Sequence, residues 1–318
     1  MKKILVTGAS GFIGQSLCKA LSKKNKSICG VVRTINSTLK SSDIEYQSIG
    51  NISRNTNWKD ILENIDCIFH CAGIVPRMNG NKDLNLYYLT NVEGTRRLAE
   101  QAAEAGVRRL IFLSSIKVNG ENTDIINNKK KFLYNDIPKP KDSYAVSKFE
   151  AEKALLRISS NTEMEVVIIR LPLVYGKGVK GNLALLIKII SKNLPLPLNG
   201  IKNKRSYIGI DNLVDLLICC IDHPEASRKI FLASDGEDLS TPELIKLIAS
   251  SLDRKVYLFS LPIFILKFLG YILGKRKEIS RLIESSRLDN SYTNEVLNWI
   301  PPVSVEEGIK KMIQKNDT

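Results

Sequence analysis

A glycine-rich turn between the first apolar strand and the first helix constrains the fold of this chain more than any other feature. Residues 7–14 are TGASGFIG, and they directly follow the apolar run Ile4–Val6. In such a turn Gly8 permits the tight bend, Gly11 lets a phosphate approach the backbone, and Gly14 lets the helix pack close to the strand. The helix N-terminus that follows presents unpaired N–H groups to an anion. The pattern therefore predicts a site for the pyrophosphate of a dinucleotide.

Short apolar runs alternate with helical patterns through the first half of the chain. Helices are predicted over residues 12–24, 58–65 (WKDILENI), 91–105 and 144–158. Strands are predicted over residues 4–6, 28–32, 44–49, 67–69, 110–113 and 166–169. Nearly continuous apolar strands that alternate with helices are typical of a parallel sheet covered on both faces. We therefore predict an α/β fold, a Rossmann-type doubly wound parallel sheet with a smaller C-terminal lobe.

The pattern becomes less regular after about residue 171, where prolines interrupt short elements. We predict a dinucleotide-binding domain over residues 1–170 and a mainly substrate-binding lobe over residues 171–318, with a discontinuous boundary. A chain of 318 residues is long enough for one large or two coupled domains.

Composition excludes several classes of protein. Lysine and arginine total 47 against 33 acidic residues, a net charge of +14 that would suit nucleic acid, an anionic membrane or an anionic small substrate. We expect no nucleic-acid partner, because no zinc finger or RNP-type motif is present. Six cysteines without a CxxC pair and only two histidines predict neither a disulfide scaffold nor a metal site. Reduced thiols and an N-terminus without a secretory pattern lead us to expect a cytoplasmic protein.

A candidate reacting centre lies further along the chain. Tyr144 and Lys148 are four residues apart on one predicted helix and so share a face. An ammonium beside a phenol should lower the pKa of Tyr144 and make it a usable general acid/base. Ser115 follows the apolar strand 110–113, and its hydroxyl would hold a substrate oxygen beside Tyr144. Ser114 is the competing serine, with a structural role expected.

The end of the second strand bears on the choice of dinucleotide. An acidic residue is normally found about 20 positions after the glycine turn, where it binds a ribose 2′-OH. This chain has no acid before Asp43, and the second strand ends at Val32 followed by Arg33. Because a guanidinium can bind a 2′-phosphate, we favour NADP(H), with NAD(H) possible if Arg33 stacks on the adenine or faces solvent.

Taken together, these motifs resemble the extended short-chain dehydrogenase/reductase family, in its NAD-dependent epimerase/dehydratase branch. The segments that also fit are HCAG at 70–73, NVEGT at 91–95, RLPLVYG at 170–176 and RSY at 205–207. Within the branch the chain is similar to bacterial polysaccharide-cluster enzymes that act at C4 of UDP-N-acetylhexosamines. The segments SSIKVNGE, LPLVYGKGVKGN and SDGEDLSTPEL resemble the UDP-4-keto-6-deoxy-N-acetylglucosamine 4-reductases of the UDP-N-acetylquinovosamine type.

The resemblance implies roles for individual residues. Besides Arg33, Tyr144 and Lys148, it places five residues at the pyrophosphate of the dinucleotide: Gly8, Gly11, Phe12, Ile13 and Gly14. It places Asn51 near the adenine and Pro172 near the nicotinamide. Along the cofactor channel it places Cys71, Ala72 and Gly73, and Asn91 would support the helix near the catalytic tyrosine. Those that it places at a UDP-sugar substrate, besides Ser115, are Lys177, Asn182 and Arg205.

Two departures from the family pattern matter for the reaction. Asn119 stands where a tyrosine usually follows the catalytic serine, and Leu173 stands where galactose epimerases have an asparagine. These departures argue against a plain UDP-glucose/UDP-galactose epimerase. Arg33 and the missing ribose acid favour net reduction by NADPH, so we predict a C4 ketoreductase of a UDP-linked (N-acetyl)hexose in surface polysaccharide biosynthesis. The alternatives are a UDP-glucose or UDP-N-acetylglucosamine 4-epimerase, and a 4-epimerase of a lipid-linked sugar. A non-enzymatic dinucleotide sensor is disfavoured because both Tyr144 and Lys148 are present.

The most apolar stretch, residues 256–273, predicts an interaction surface. A helix that starts after Pro262 is too short to cross a bilayer of roughly 30 Å. It would be a buried or partner-facing helix, or it would rest on a membrane together with the basic cluster that ends at residue 277. The resemblance also implies a homodimer.

Overall fold

Residues 3–36, 39, 43–76, 84–123 and 131–314 are described by the structure, a computed structural model. Their main feature is a seven-stranded sheet in the order β3-β2-β1-β4-β5-β6-β9. All of its strand pairs are parallel. The strands are β1 Lys3–Thr7, β2 Ser27–Val32, β3 Ile44–Ser48, β4 Ile65–His70, β5 Arg109–Ser115, β6 Glu165–Leu171 and β9 Ile230–Leu232.

A smaller three-stranded sheet lies in the C-terminal half. Its strands are β7 Leu173–Tyr175, β8 Arg205–Gly209 and β10 Asp238–Leu239, in the order β10-β8-β7. The helices, in chain order, are α1 Phe12–Lys23, α2 Leu84–Tyr87, α3 Gly94–Glu104, α4 Ser143–Ser160, α5 Asn182–Ser191, α6 Ile210–Asp222, α7 Thr241–Ser251, α8 Ile263–Ile272, α9 Arg276–Ile283, α10 Ser291–Leu297 and α11 Val305–Ile313.

The central strands are apolar on both faces, as the sequence predicts for a covered parallel sheet. Alternate residues of one strand enter different cores: Val6 packs in a layer with α1 and α6, whereas Leu5 packs in a layer with α3 and α4. All seven residues of β5 are buried. The predicted α/β, Rossmann-type fold is therefore confirmed.

One predicted helix is wrong. Residues 59–64 form consecutive turns before β4 rather than a helix. The buried Trp58 directly precedes this segment, and its backbone N–H donates to the side chain of Gln101 at 2.8 Å. The segment ends at Asn64, whose left-handed φ of 60° stops any helix. One helix-type hydrogen bond remains, from the N–H of Leu62 to the carbonyl oxygen of Trp58 at 2.9 Å, and Asn64 ends the segment before β4.

The main sheet takes its last strand from the C-terminal half of the chain. Ile230–Leu232 pairs with β6 in parallel. Helix α6 likewise packs on the face of the main sheet that α1 covers. The division at residues 170 and 171 remains a prediction, while these two elements belong to the main sheet and its covering layer.

The carboxyl ends of the parallel strands meet at one edge, which is where doubly wound sheets bind their ligands. Thr7, at the end of β1, lies beside His70, at the end of β4. Ser115, at the end of β5, lies beside Leu171, at the end of β6. The strand ends thus bring the glycine turn and the candidate reacting centre to the same edge. Within the described part of the chain, no helix is both long and apolar enough to cross a membrane.

Candidate active site

The glycine turn has the close backbone packing that a dinucleotide site requires. A Cβ on Gly14 would lie 2.2 Å from the carbonyl oxygen of Gly8, and Gly8 itself has a φ of +67°. Gly11 is the N-cap of α1 and has no side chain to occupy the N–H groups of the first turn, which includes Phe12 and Ile13. An anion can therefore reach those N–H groups directly. These residues fit the pyrophosphate of a dinucleotide.

The loop after β4 extends this surface toward the reacting centre. Ala72 donates its backbone N–H to Oγ1 of Thr7 at 3.1 Å, and a Cβ on Gly8 would lie 2.9 Å from the same nitrogen. A Cβ on Gly73 would lie 3.5 Å from Nζ of Lys148. Cys71, between these elements, is partly buried, and burial raises the pKa of its thiol. The structure thus brings the predicted channel residues between the glycine turn and Lys148.

His70 is a hydrogen-bonded core residue. Its Nδ1 lies 2.7 Å from Oγ1 of Thr7, and its Nε2 lies 2.9 Å from Oγ1 of Thr95. Burial, with the Lys148 ammonium nearby, lowers the pKa of His70 from 6.5 to about 3. The imidazole therefore stays neutral and joins β1, β4 and α3.

This burial predicts an acid-dependent loss of stability. Because the folded pKa of His70 is about 3 and its ordinary value is 6.5, the unfolded state takes up a proton first as pH falls below 6.5. The resulting loss between pH 7 and pH 5 is about 2 kcal/mol from this group. Urea unfolding of His70→Gln, which retains hydrogen-bonding atoms, should show a pH dependence weaker than wild type by that amount. Equal pH dependence in the two proteins would contradict this account.

Asn91 ties the β4 loop to the catalytic helix from inside a π-helical segment, Tyr88–Glu93. Its Oδ1 accepts from the backbone N–H of Ile74 at 2.8 Å, and its Nδ2 donates to the carbonyl oxygen of Ile74 at 3.0 Å. The same Nδ2 donates to Oγ of Ser147 at 3.1 Å. π-helical turns often occur at functional sites, and this one aims Asn91 at both elements.

Ser115 and Tyr144 come together as predicted from the sequence. A hydrogen bond from Ser115 favours the ionised form of Tyr144, whereas burial raises the pKa of the phenol to about 12. Tyr87 packs edge-on against Tyr144 with ring centroids 6.2 Å apart. Helix α4 begins at this point because Asp142 caps it, accepting the N–H of Ala145 at 2.8 Å.

Lys148 does not lower the pKa of Tyr144 in this structure, contrary to the sequence-based prediction. Its Nζ donates to the carbonyl oxygen of Leu113 at 2.8 Å and lies 4.5 Å from the centroid of the Phe112 ring. Burial lowers the pKa of Lys148 itself to about 8. The ammonium faces the strand and the β4 loop rather than the phenol. Desolvation of the phenol therefore dominates, and the pKa of Tyr144 rises.

A buried ion pair behind the reacting centre was missed by the sequence analysis. Arg170 donates to both carboxylate oxygens of Glu152, from Nε at 3.0 Å and from Nη2 at 2.7 Å. Ser114 also donates to Glu152, which gives this serine the structural role expected of it. Nη1 of Arg170 donates to Oδ1 of Asn119 at 3.0 Å, so the unusual asparagine completes the network. Glu152 follows Lys148 by four residues, and that spacing could have pointed to it.

The predicted adenine-side residues lie at the ends of neighbouring strands. Arg33 follows β2 and is exposed. Its carbonyl oxygen accepts from the backbone N–H of Gly50 at 3.2 Å, immediately before the exposed Asn51. The structure thus brings Arg33 and Asn51 to the same strand ends.

The remaining predicted residues lie in the C-terminal half. Pro172 directly follows Leu171, the strand partner of Ser115. Lys177 lines a cavity of about 170 Å³ shared with Asp211 and Lys311. Asn182 is the first residue of α5.

The guanidinium of Arg205 donates hydrogen bonds within the protein. Its Nη1 donates to the carbonyl oxygens of Arg281 and Glu284, at 3.2 and 3.0 Å. Lys177 follows β7, Asn182 begins α5 and Arg205 begins β8, whereas Ser115 ends β5 and Tyr144 lies at the start of α4.

The fold and the glycine turn define a Rossmann-type dinucleotide-binding protein, with Ser115, Tyr144 and Lys148 as its candidate acid/base residues. The chain belongs to the NAD dependent epimerase/dehydratase family, whose model matches residues 4–233. It is 41% identical over 316 residues to a UDP-glucose 4-epimerase of Vibrio cholerae, covering 98% of this chain and 95% of that protein. It is 26% identical to a dTDP-4-dehydro-6-deoxyglucose reductase of Escherichia coli, covering 98% and 96%.

Solved structures share the same fold. A UDP-glucuronic acid 4-epimerase from Bacillus cereus in complex with NAD matches with a TM-score of 0.78 and 22% identity, covering 97% of this chain and 96% of that one. At this identity the likeness concerns the fold alone.

Proposed function

We propose that this protein is a UDP-sugar 4-epimerase that uses NAD. The single observation that carries the proposal is the 41% identity with a UDP-glucose 4-epimerase along nearly the full length of both chains. The hydrogen-bonded Ser115 and Tyr144, with Lys148 one helical turn away, supply the acid/base chemistry that epimerisation needs. The epimerase alternative thereby replaces the ketoreductase as the favoured function.

In the proposed reaction one proton passes from the sugar C4 hydroxyl to Tyr144 and then back to the sugar. A nicotinamide held beside this centre would supply the hydride acceptor and donor. Tyr144 Oη accepts the proton of the sugar C4 hydroxyl and later returns it to the same oxygen. Ser115 donates to Tyr144 and so stabilises its phenolate, against the burial that raises the phenol pKa to about 12.

Lys148 and Asn91 keep the surroundings of the phenol in place. Asn91 joins the β4 loop to Ser147 on α4. Lys148, between Leu113 and the β4 loop, would add positive charge and a ribose hydrogen bond. Of the predicted substrate residues, Lys177, Asn182 and Arg205 would hold the UDP moiety.

The choice of NAD over NADP follows from the reaction and from the relatives. An epimerase returns its hydride to the substrate, so it has no net demand for NADPH. The B. cereus structure contains NAD. Arg33, which would favour a 2′-phosphate, is exposed and would then face solvent or stack on the adenine.

The second candidate function is the C4 ketoreductase. It is favoured by Leu173, by Arg33 and by the similarity to a sugar-nucleotide 4-reductase at 26% identity. The residues at the reacting centre serve both reactions equally, so only substrate and cofactor turnover separate them.

The experiment is to incubate the protein with a panel of UDP-hexoses and UDP-N-acetylhexosamines and NAD, and separately with 4-keto UDP-sugars and NADPH. We expect interconversion of C4 epimers, followed by NMR, with no net change in absorbance of the reduced nicotinamide. Stoichiometric NADPH oxidation with a 4-keto sugar, and no epimerisation, would establish the reductase instead. Absence of both reactions would contradict both functions.

We also infer a cytoplasmic homodimer. All six cysteines are free thiols, as in a reducing compartment. A second copy would cover a face formed by α2, the π-helical segment and α4. Its exposed apolar residues are Leu84, Leu86, Leu89 and Val146.

A further inference from the structure

Exposed apolar side chains concentrate on and beside α8. Surface hydrophobic residues are ordinarily scattered, and a contiguous group marks an interaction site. Phe264 and Tyr271 are each 72% exposed. The exposed large hydrophobic residues of this segment, here called the α8 surface, are Tyr257, Ile263, Phe264, Phe268, Leu269, Tyr271, Ile272 and Leu273.

The helix is attached to the protein by a narrow stripe. Only Leu266 and Gly270, four residues apart, are buried within α8. Gly270 allows close contact with α9, since a Cβ there would lie 2.7 Å from Cγ1 of Ile279. Phe264, Phe268 and residues 271–272 recur at helical spacing and so share the outward face.

The segment that carries this face is positively charged, and the first acidic residue after it, Glu278 of α9, is partly buried. Residues 256–277 contain four lysines and arginines and no acidic residue. Lys267, Lys275 and Arg276 are all exposed. An apolar face bordered by cations complements the acyl layer and anionic headgroups of a membrane.

A second copy of the chain fits this face less well. A two-fold contact would place the same patch on both sides, and the cations of one copy would then meet those of the other. Lysine is also depleted in the cores of protein interfaces. A helix of ten residues is about 15 Å long, which suits a position parallel to the bilayer plane.

We propose that the α8 surface docks this protein onto anionic membrane surfaces. Phe264, Phe268 and Ile272 enter the acyl boundary, while Lys275 and Arg276 face the phosphates. Docking of this kind is peripheral and goes beyond the proposed catalytic function, since none of these residues belongs to the reacting centre.

The test is cosedimentation of the full chain with vesicles of phosphatidylcholine and phosphatidylglycerol in equal parts, compared with vesicles of phosphatidylcholine alone. We expect binding to the anionic vesicles and little to the neutral ones. Phe264→Ser combined with Phe268→Ser should weaken binding by at least about tenfold. Lys275→Gln combined with Arg276→Gln should weaken it by about thirtyfold, at roughly 1 kcal/mol per charge.

Matched controls separate the α8 surface from the general positive charge. Ile300→Ser removes an apolar residue that is 78% exposed elsewhere, and Lys19→Gln with Lys23→Gln removes two charges from α1; both should bind like wild type. Wild type that fails to bind, or Phe variants that bind fully, would overturn the proposal. The proposal would also be overturned if the Phe variants changed only the oligomeric state, from dimer to monomer, in analytical ultracentrifugation. Turnover by each variant is measured in parallel, so failure of docking is distinguishable from failure of the catalytic function.

Discussion

Replacing Tyr144 by phenylalanine should lower kcat by roughly 10³-fold while the protein stays folded and still binds the dinucleotide. The phenol is the only group of the proposed centre that can take and return the C4 proton, and positioned acid/base groups contribute about 10²–10⁴-fold. The ring remains to pack against Tyr87. Steady-state kinetics on the substrate identified by the panel, together with dinucleotide titration, measures both effects.

The matched control is Tyr87→Phe, which removes a neighbouring hydroxyl from the same aromatic pair. It should change kcat by only a small factor. If Tyr144→Phe and Tyr87→Phe lost turnover equally, or if Tyr144→Phe remained as active as wild type, the assignment of Tyr144 as acid/base would be wrong.

Replacing Glu152 by alanine should lower the free energy of unfolding by about 3–5 kcal/mol, because it leaves the buried guanidinium of Arg170 without its anion. Both members of the pair are at most 2% exposed. Urea denaturation followed by circular dichroism gives the free energy of unfolding. The loss also removes the acceptor of Ser114, which precedes Ser115 of the proposed reacting centre.

Glu150→Ala is the control on the same helix. Glu150 pairs with Lys153 at 2.7 Å, but both side chains are substantially exposed. Exposed pairs contribute about 0–1 kcal/mol, and the change in helix propensity is the same in both variants. Equal denaturation midpoints for Glu152→Ala and Glu150→Ala would show that the buried pair does not stabilise the fold.

Much of the fold could be predicted because local patterns agree with the tertiary structure. The apolar run Ile4–Val6 is buried on both sides as β1, and the residues that follow it form the expected turn and helix. The segment 58–65 fails as a helix because Asn64 is left-handed and β4 begins at Ile65, which leaves one helix-type turn after Trp58. The π-helical turn around Asn91 was also not predictable, since it adds one residue per turn without any change in composition.

The local geometry of the candidate site could be predicted where neighbours in sequence are neighbours in space. Gly8, Gly11 and Gly14 needed only local geometry, and Tyr144 and Lys148 needed only helical spacing. The pKa of Tyr144 was mispredicted because it depends on desolvation by groups from other elements. The contacts of Asn119 and Arg205 likewise depend on segments far away in sequence, Arg170 in one case and α9 in the other.

The seventh strand of the main sheet has a consequence for recombination between relatives. Because Ile230–Leu232 pairs with β6 as the last strand of the sheet, a chimera that exchanged everything after residue 170 would also replace the outermost strand of the recipient's sheet. The foreign strand would have to match Ile168, Ile169 and Arg170 in register. Swaps intended to transfer specificity should therefore retain residues 210–235, which carry α6 and β9, from the recipient and exchange only the segments on either side.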